Sequence, residues 1–298
     1  MHVRALEERS VAAGIATRVI NSNRAGLKLI AQVFLHACRG WTVHFHTNGH
    51  NSRSWLLAGI CGLASRIGPG GMLTLHSGMV PAYVRSASPL QRLFARFVCS
   101  LYRRVICVSV AIRTAITSLG VRITRTELSE AYLGVQATGA PLDPELENWI
   151  RAHAPVLCTA LFFRPEYGFD VLLAALRELR GTHPLIGCVV MGDSDHRGNA
   201  QRAVSAAGLQ SHVLLAGDLR HSDCVNLIAR CNVFVRPTLE DGDSVSVREA
   251  VGLGVPVVAS EVGTRPPEAI LFPCGDPAGL SAKVRLAIEN PKRLEQYA

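Results

Sequence analysis

Residues 236–260, RPTLEDGDSVSVREAVGLGVPVVAS, constrain the fold of this chain more than any other stretch. An apolar strand, residues 232–235, leads into it and stops before Pro237, whose ring and missing N–H break a strand ladder. A polar loop follows over 240–244, with Gly242 at its centre. A helix then starts near Ser244 and runs through Val251, ended by Gly252 and Gly254. Pro256 opens the next apolar strand, VPVVAS. Strand, acidic loop, helix, strand is the repeating unit of a parallel sheet. In such sheets ligands sit beyond the carboxyl ends of the strands, and the unpaired N–H groups of a helix N-terminus favour phosphate oxygens.

Asp241 and Glu249 lie eight residues apart, one in the loop and one on the second turn of the helix, roughly 7 Å along its axis. Carboxylates accept paired hydrogen bonds from vicinal hydroxyls, which a ribose and a hexose both offer. The N–H groups between the two acids suit the phosphates that would link those sugars. The spacing alone is unspecific: 23 acids in 298 residues give roughly two such pairs by chance. Ser246-Val-Arg-Glu249 also has the form of a capping box, in which Glu249 only closes the helix start. From the residues alone both roles stand.

The whole 25-residue string resembles the signature of retaining glycosyltransferases of family 4, which have the GT-B fold. That pattern runs strand, Pro-Ser/Thr, Glu-Gly-x-Gly, a second Glu eight residues after the first, Ala, and G-x-P-V-V-A-S. Asp241 stands for the first Glu, Gly242 for the Gly and Glu249 for the second Glu. Ala250, Gly254, Pro256, Val257, Val258, Ala259 and Ser260 complete it. Two positions depart, Asp243 where an aromatic is usual and Ser244 for the second Gly. The resemblance implies an α/β chain of two Rossmann-like domains with parallel sheets facing a cleft. It also implies that Glu249 holds the nucleotide ribose, that Asp241 lies by the donor sugar, and that Gly242, Asp243, Ser244 and Val245 line the donor site.

Length supports two domains, since 298 residues exceed one comfortable core. The clearest composition break is QATGAPLDP, residues 136–144, which divides the chain into 1–138 and 139–298. Charge divides it at the same place. Residues 1–138 hold 16 Lys/Arg against 4 Asp/Glu, and residues 139–298 hold 15 against 19. No acid occurs between Glu8 and Glu127. Such a field favours anionic partners, with an anionic membrane surface or lipid phosphate in view. No common nucleic-acid-binding motif is present, which argues against that partner. Nine cysteines without a C-x-x-C, such as Cys107, Cys158 and Cys188 in apolar runs, read as buried free thiols in a reducing cytoplasm. No run of 18 apolar residues suggests a spanning helix.

Along residues 1–138 the periodicity predicts a helix over 2–14, a strand over 15–20 and a helix over 25–38. It continues with a strand over 41–46, a helix over 54–67, a strand over 72–76, a helix over 88–102, a strand over 104–108 and a helix over 111–119. Such alternation makes a parallel sheet with helices on both faces. His76 ends one strand. The resemblance gives it contact with the donor sugar; the local alternative is a histidine making strand-end hydrogen bonds. His44 and His46 end the preceding strand, as structural residues or facing the acceptor, and make no convincing metal set. The helix at Ser88 carries Leu90, Leu93, Phe94, Phe97 and Leu101 on one face, with Arg92, Arg96 and Arg103 elsewhere. It reads either as a core helix with a solvated side or as a surface for anionic lipid.

In residues 139–298, strands are predicted over 156–163, 185–191, 212–216, 232–235 and 270–272 besides VPVVAS, and helices over 169–180, 199–207, 222–230 and 277–288. Similar enzymes bind the donor diphosphate with an Arg and a Lys in the first loop; here those places hold Phe162 and Tyr167. Arg164 is the only cation in that loop and the candidate for the diphosphate, with Arg265 as a second. Asp241-Gly-Asp243 has the form of a D-x-D metal motif, but its surroundings fit the metal-independent pattern, so neither metal nor organic cofactor is expected.

The reading is a transferase moving a hexose from a nucleotide-sugar donor to a hydroxyl of a glycan or lipid-linked acceptor, with His76 and Asp241 at the reacting sugar. Surface polysaccharide or glycolipid synthesis, at the inner face of the membrane, is the expected setting. The rivals are a non-catalytic partner that keeps the fold and docks on lipid or another subunit, and a nucleotide-sugar epimerase. The chain opens in a helix and not in the strand and Gly-rich turn that start a doubly wound domain, so a missing first strand and C-terminal helix are also expected.

Overall fold

The computed structural model describes residues 10–11, 13–20, 22–129, 134–192 and 196–289, with the backbone alone at 22–27. The helix expected over 2–14 therefore lies mostly outside the described residues. The chain divides into two compact units, Met1–Leu133 with Asp241–Asp243, and Gly134–Glu240 with Ser244–Ala298.

In the first unit the elements run α1 (Ser22–Cys38), β1 (Val43–Thr47), α2 (Ser52–Ile67), β2 (Gly71–Leu75), α3 (Val80–Ser86), α4 (Pro89–Leu101), β3 (Arg104–Cys107), α5 (Val110–Ser118) and β4 (Thr126–Leu128). The sheet is parallel, in the order β1-β2-β3-β4. Helix starts are set by side chains that take the orphan N–H groups. Asn51 accepts from Ser54 N, Ser109 accepts from Ile112 N, and Ser88 with Gln91 forms a reciprocal capping box. Small residues let α2 approach α4 closely: a Cβ at Gly62 would stand 2.9 Å from Leu101 Cβ. Between these helices the buried Tyr102 hydroxyl donates to the Ala58 carbonyl at 2.6 Å.

One expected strand is absent. Residues 15–20 have no regular structure, although their apolar content suggested a strand. Ile15 and Val19 are exposed, and only Ile20 packs against the core cluster of Leu29, Val33, Ala37, Cys61 and Ala64. An extended segment becomes a strand only when a neighbour takes its backbone hydrogen bonds.

The second unit comprises α6 (Pro144–Arg151), β5 (Val156–Ala160), α7 (Phe169–Thr182), β6 (Gly187–Met191), α8 (Arg197–Ala206), β7 (Val213–Gly217), α9 (His221–Ile228), β8 (Val233–Arg236), α10 (Val245–Gly252), β9 (Val257–Ser260), β10 (Ile270–Phe272) and α11 (Pro277–Glu289). Its six strands are parallel, ordered β7-β6-β5-β8-β9-β10. Strand residues alternate between two cores, as a period of two requires. Leu157, Cys188, Val190, Val233 and Val235 pack beneath α7, α8 and α11, while Cys158, Val189, Met191 and Phe234 pack beneath α6, α9 and α10. All nine cysteines are unpaired thiols. Burial pushes those of Cys61 and Cys107 up to about 12, so they pack as small apolar groups.

The segment after residue 134 is tied down. Thr138 N donates to Asn226 Oδ1 at 3.0 Å, Arg230 holds the Ala140 carbonyl at 2.8 Å, and Leu142 is buried. Asp143 then caps α6 by accepting from Glu145 N at 2.9 Å.

Candidate active site

In the second sheet the chain starts at β5, steps outward through β6 and β7, then returns to β8 on the other side of β5. The reversal between β5 and β8 is a topological switch point, where the loops beyond the two strands part and leave room for a ligand. Those loops are held together at their bases. The Glu166 carbonyl accepts from Leu239 N at 2.8 Å. Gly168 has φ +65° and its Cα faces the Pro237 carbonyl so closely that a side chain there would collide with it. Arg236, buried at the end of β8, donates to the Ala160 carbonyl of β5 at 2.6 Å and lies 5.4 Å from the centre of the Tyr167 ring. Arg265 bridges two further loops, with Nε on the Ser260 carbonyl at 3.1 Å and Nη2 on Thr238 Oγ1 at 3.1 Å. Arg164 is exposed, its guanidinium 5.4 Å from the Phe162 ring centre.

Helix α10 follows the β8 loop. Ser244 is its N-cap residue, buried, with no side-chain capping bond; its Oγ lies 3.2 Å from Ser246 Oγ. Val245 is the first helical residue. A helix start without a side-chain cap keeps its first N–H groups for another acceptor. The capping-box reading of Glu249 is thereby corrected. The helix begins before Ser246, so Glu249 stands inside it on the second turn, where no orphan N–H is in reach.

Glu249 is buried, 4% exposed, and its Oε1 accepts from His221 Nε2 at 2.6 Å. His221 is the first residue of α9, with 43% of its side chain exposed. The imidazole thus orients one carboxylate oxygen, and Oε2 keeps its capacity to accept. His221 was not identified from the sequence because 28 residues separate it from Glu249.

The first unit gathers the histidines. Along β1 the alternation puts Val43 and Phe45 against the α1 core and His44 and His46 on the other face. Thr74 and His76 follow the same parity on and just beyond β2, in register with β1. His44 Nε2 lies 2.8 Å from Thr74 Oγ1, and His46 Nδ1 lies 2.9 Å from His76 Nε2. The His46 and His76 rings stack at 5.2 Å and 21°.

Asp241–Asp243 belongs with this unit. Asp241 Oδ1 accepts from Gly242 N at 3.0 Å. Gly242 sits so close to the His76 backbone that a Cβ there would be 2.6 Å from the His76 carbonyl, and a Cβ at Gly78 would run into the Asp241 carbonyl. Asp243 is buried and Asp241 half-buried. His76, Asp241, Gly242 and Asp243 are thus neighbours, whereas Ser244, Val245, Glu249 and Arg164 belong to the second unit. Among the described residues no three of His, Cys, Asp and Glu come together as a metal-holding group.

Residues 154–290 match the family model of glycosyl transferases group 1. The gpi3 subunit of phosphatidylinositol N-acetylglucosaminyltransferase from Schizosaccharomyces pombe is 24% identical over 221 residues, 74% of this chain and 47% of that protein. The 2-deoxystreptamine N-acetyl-D-glucosaminyltransferase of Streptomyces fradiae is 27% identical over 302 residues, 93% of this chain and 70% of that one. The chain thus spans about half of the first relative's length and more of the second's. Among solved structures, Anabaena Alr3699/HepE in complex with UDP-glucose superposes with a TM-score of 0.73 at 19% identity, covering 97% of this chain and 81% of that one. At that identity the likeness shows the fold, two parallel α/β sheets of the GT-B type. Residues 154–290, just under half of the chain, are thus similar to the group 1 glycosyltransferases, and the chain is built on the GT-B fold.

Proposed function

We propose that this chain moves a hexose unit from a nucleotide-diphosphate donor to a hydroxyl group of a glycan or lipid-linked acceptor, with retention at the anomeric carbon, in surface polysaccharide or glycolipid synthesis. The observation that carries the reading is Glu249, a buried carboxylate oriented by His221 on the helix that follows the switch point. There it accepts the two ribose hydroxyls of the donor. The N–H groups of Val245 and Ser246 at the start of α10 take phosphate oxygens, and Arg164 is the exposed cation for the diphosphate. His76 and Asp241 contact the sugar. Stabilising the departing diphosphate supplies most of the rate, and the reaction uses neither metal nor organic cofactor. Retention rests on the family 4 pattern in residues 236–260. Nine unpaired cysteines favour a reducing compartment, the cytoplasm.

A second reading, a non-catalytic GT-B partner, is favoured by Phe162 and Tyr167 standing where similar enzymes carry the diphosphate cations. One experiment separates the two. The protein is screened against a panel of nucleotide sugars for thermal stabilisation, starting with UDP-sugars because the Anabaena protein is in complex with UDP-glucose. Binders are then tested for sugar release to glycan and lipid acceptors. Stabilisation with turnover supports the transferase; no stabilisation by any nucleotide sugar, with the protein folded, supports the partner and removes the donor-site assignments.

A further inference from the structure

Helix α4 packs on the core through Ala95, Val98, Cys99 and Leu101, but the rest of its apolar face is left outside. Its Leu90 is 76% exposed, Leu93 62%, Phe97 48% and Phe94 37%, and these positions fall on one stripe. A second stripe lies on α2, where Leu56 is 54% exposed and Leu63 49%. The two stripes meet where the helices touch: a Cβ at Gly59, between the two α2 leucines in sequence, would lie 3.5 Å from the Phe94 ring. Large apolar side chains in one continuous patch across two helices are not the scattered exposure of an ordinary surface. Arg53 and Arg66 are exposed on α2 beside its stripe, whereas Arg92 and Arg96 are exposed on the side of α4 turned away from its own. Between residues 10 and 126 the chain has 14 Lys/Arg and no Asp or Glu, so this stretch carries a strong positive charge of its own. Among the described residues no helix is long and apolar enough to cross a membrane.

We propose that this α2–α4 face is a docking surface for an anionic lipid bilayer, its leucines and phenylalanines entering the headgroup boundary while the arginines meet lipid phosphates. Charge selects the occupant. A wholly apolar partner would leave the arginines without counter-ions, whereas an anionic bilayer offers an apolar boundary beneath a layer of negative charge. The proposal stands apart from donor binding, since none of these residues belongs to the donor site.

The test is co-sedimentation of the full chain with vesicles of phosphatidylcholine alone and of phosphatidylcholine with phosphatidylglycerol. Binding is expected to the anionic vesicles, weaker to the neutral ones, and to fall as salt rises. Leu90→Gln, Leu93→Gln and Phe97→Gln together should lower it by about tenfold or more. Arg53→Gln with Arg66→Gln should lower it by about fivefold per arginine on anionic vesicles only. Both variants change exposed residues and should keep the wild-type melting temperature and donor affinity, which separates this test from that of the transferase. Equal binding to both vesicles, binding to neither, or full binding by the apolar variant overturns the proposal. So does a wild-type dimer that the apolar variant turns into a monomer, because the face is then an interface between copies of this chain.

Discussion

Replacing Glu249 by Ala tests the donor site most directly. The side chain is buried and makes its hydrogen bond to His221 at 2.6 Å. If Glu249 accepts two ribose hydroxyls, the variant loses two bonds to a charged acceptor, worth about 1.5–3 kcal/mol each. Donor affinity should then fall by about two to four orders of magnitude. The folded state loses far less. His221 is 43% exposed, so water replaces its lost partner. Ser244 remains the N-cap, and Ala is a better helix residue than Glu. The expected cost is about 1 kcal/mol or below, a lowering of the melting temperature by about 2–4 °C. Calorimetric titration with the donor identified in the stabilisation screen, run beside thermal unfolding, reads both quantities. Donor affinity within tenfold of wild type would refute the diol reasoning. Normal affinity with melting lowered by about 10 °C would make Glu249 a purely structural residue.

Gly168→Ala should cost about 2 kcal/mol or more, because a left-handed residue gains a Cβ that meets the Pro237 carbonyl; an unchanged melting temperature would contradict this. His76→Ala should lower turnover by about a hundredfold while donor affinity changes little; a selective loss of donor affinity would move His76 away from the reacting sugar. Turnover should persist in the presence of a chelator, and complete loss restored by manganese would show that Asp241 and Asp243 hold a metal.

Much of the fold could be read wherever periodicity and punctuation agreed. The helix at 169–180 carries Leu172, Leu176 and Leu179 at helical spacing after a glycine, and the structure buries all three in α7. Strand 270–272 is found over the residues expected. The misses have physical causes. Residues 15–20 have strand composition, but composition cannot supply the neighbour that a ladder needs. Helices α3 and α6 were not foreseen, because seven and eight residues make only about two turns, and strand β4, Thr-Glu-Leu, lacks the apolar run that marks residues 270–272. Residues 136–144 look like a linker in sequence. Their tethering to Asn226 and Arg230 is invisible there, because each contact spans more than 80 residues.

The site was legible to the extent that it is local. The strand-end places of His44, His46 and His76 could be read locally, whereas their meeting with Thr74 and with each other needs the pairing of β1 with β2. The helix start at α10 was placed correctly near Ser244, yet the capping-box motif pointed two residues too late. Motif and helix start competed for the same residues, and the chain geometry after the 240–244 loop decided between them. Arg236 went unnoticed for the opposite reason. In sequence it is only the last residue before Pro237, and a charge beside a strand end is ordinarily solvated. Burial changes its meaning, since a guanidinium withdrawn from water must be repaid by acceptors. The Ala160 carbonyl on the neighbouring strand is one of them. Arg236 therefore ties β5 to β8 at the place where their loops diverge, holding the base of the switch point at which the donor site is proposed.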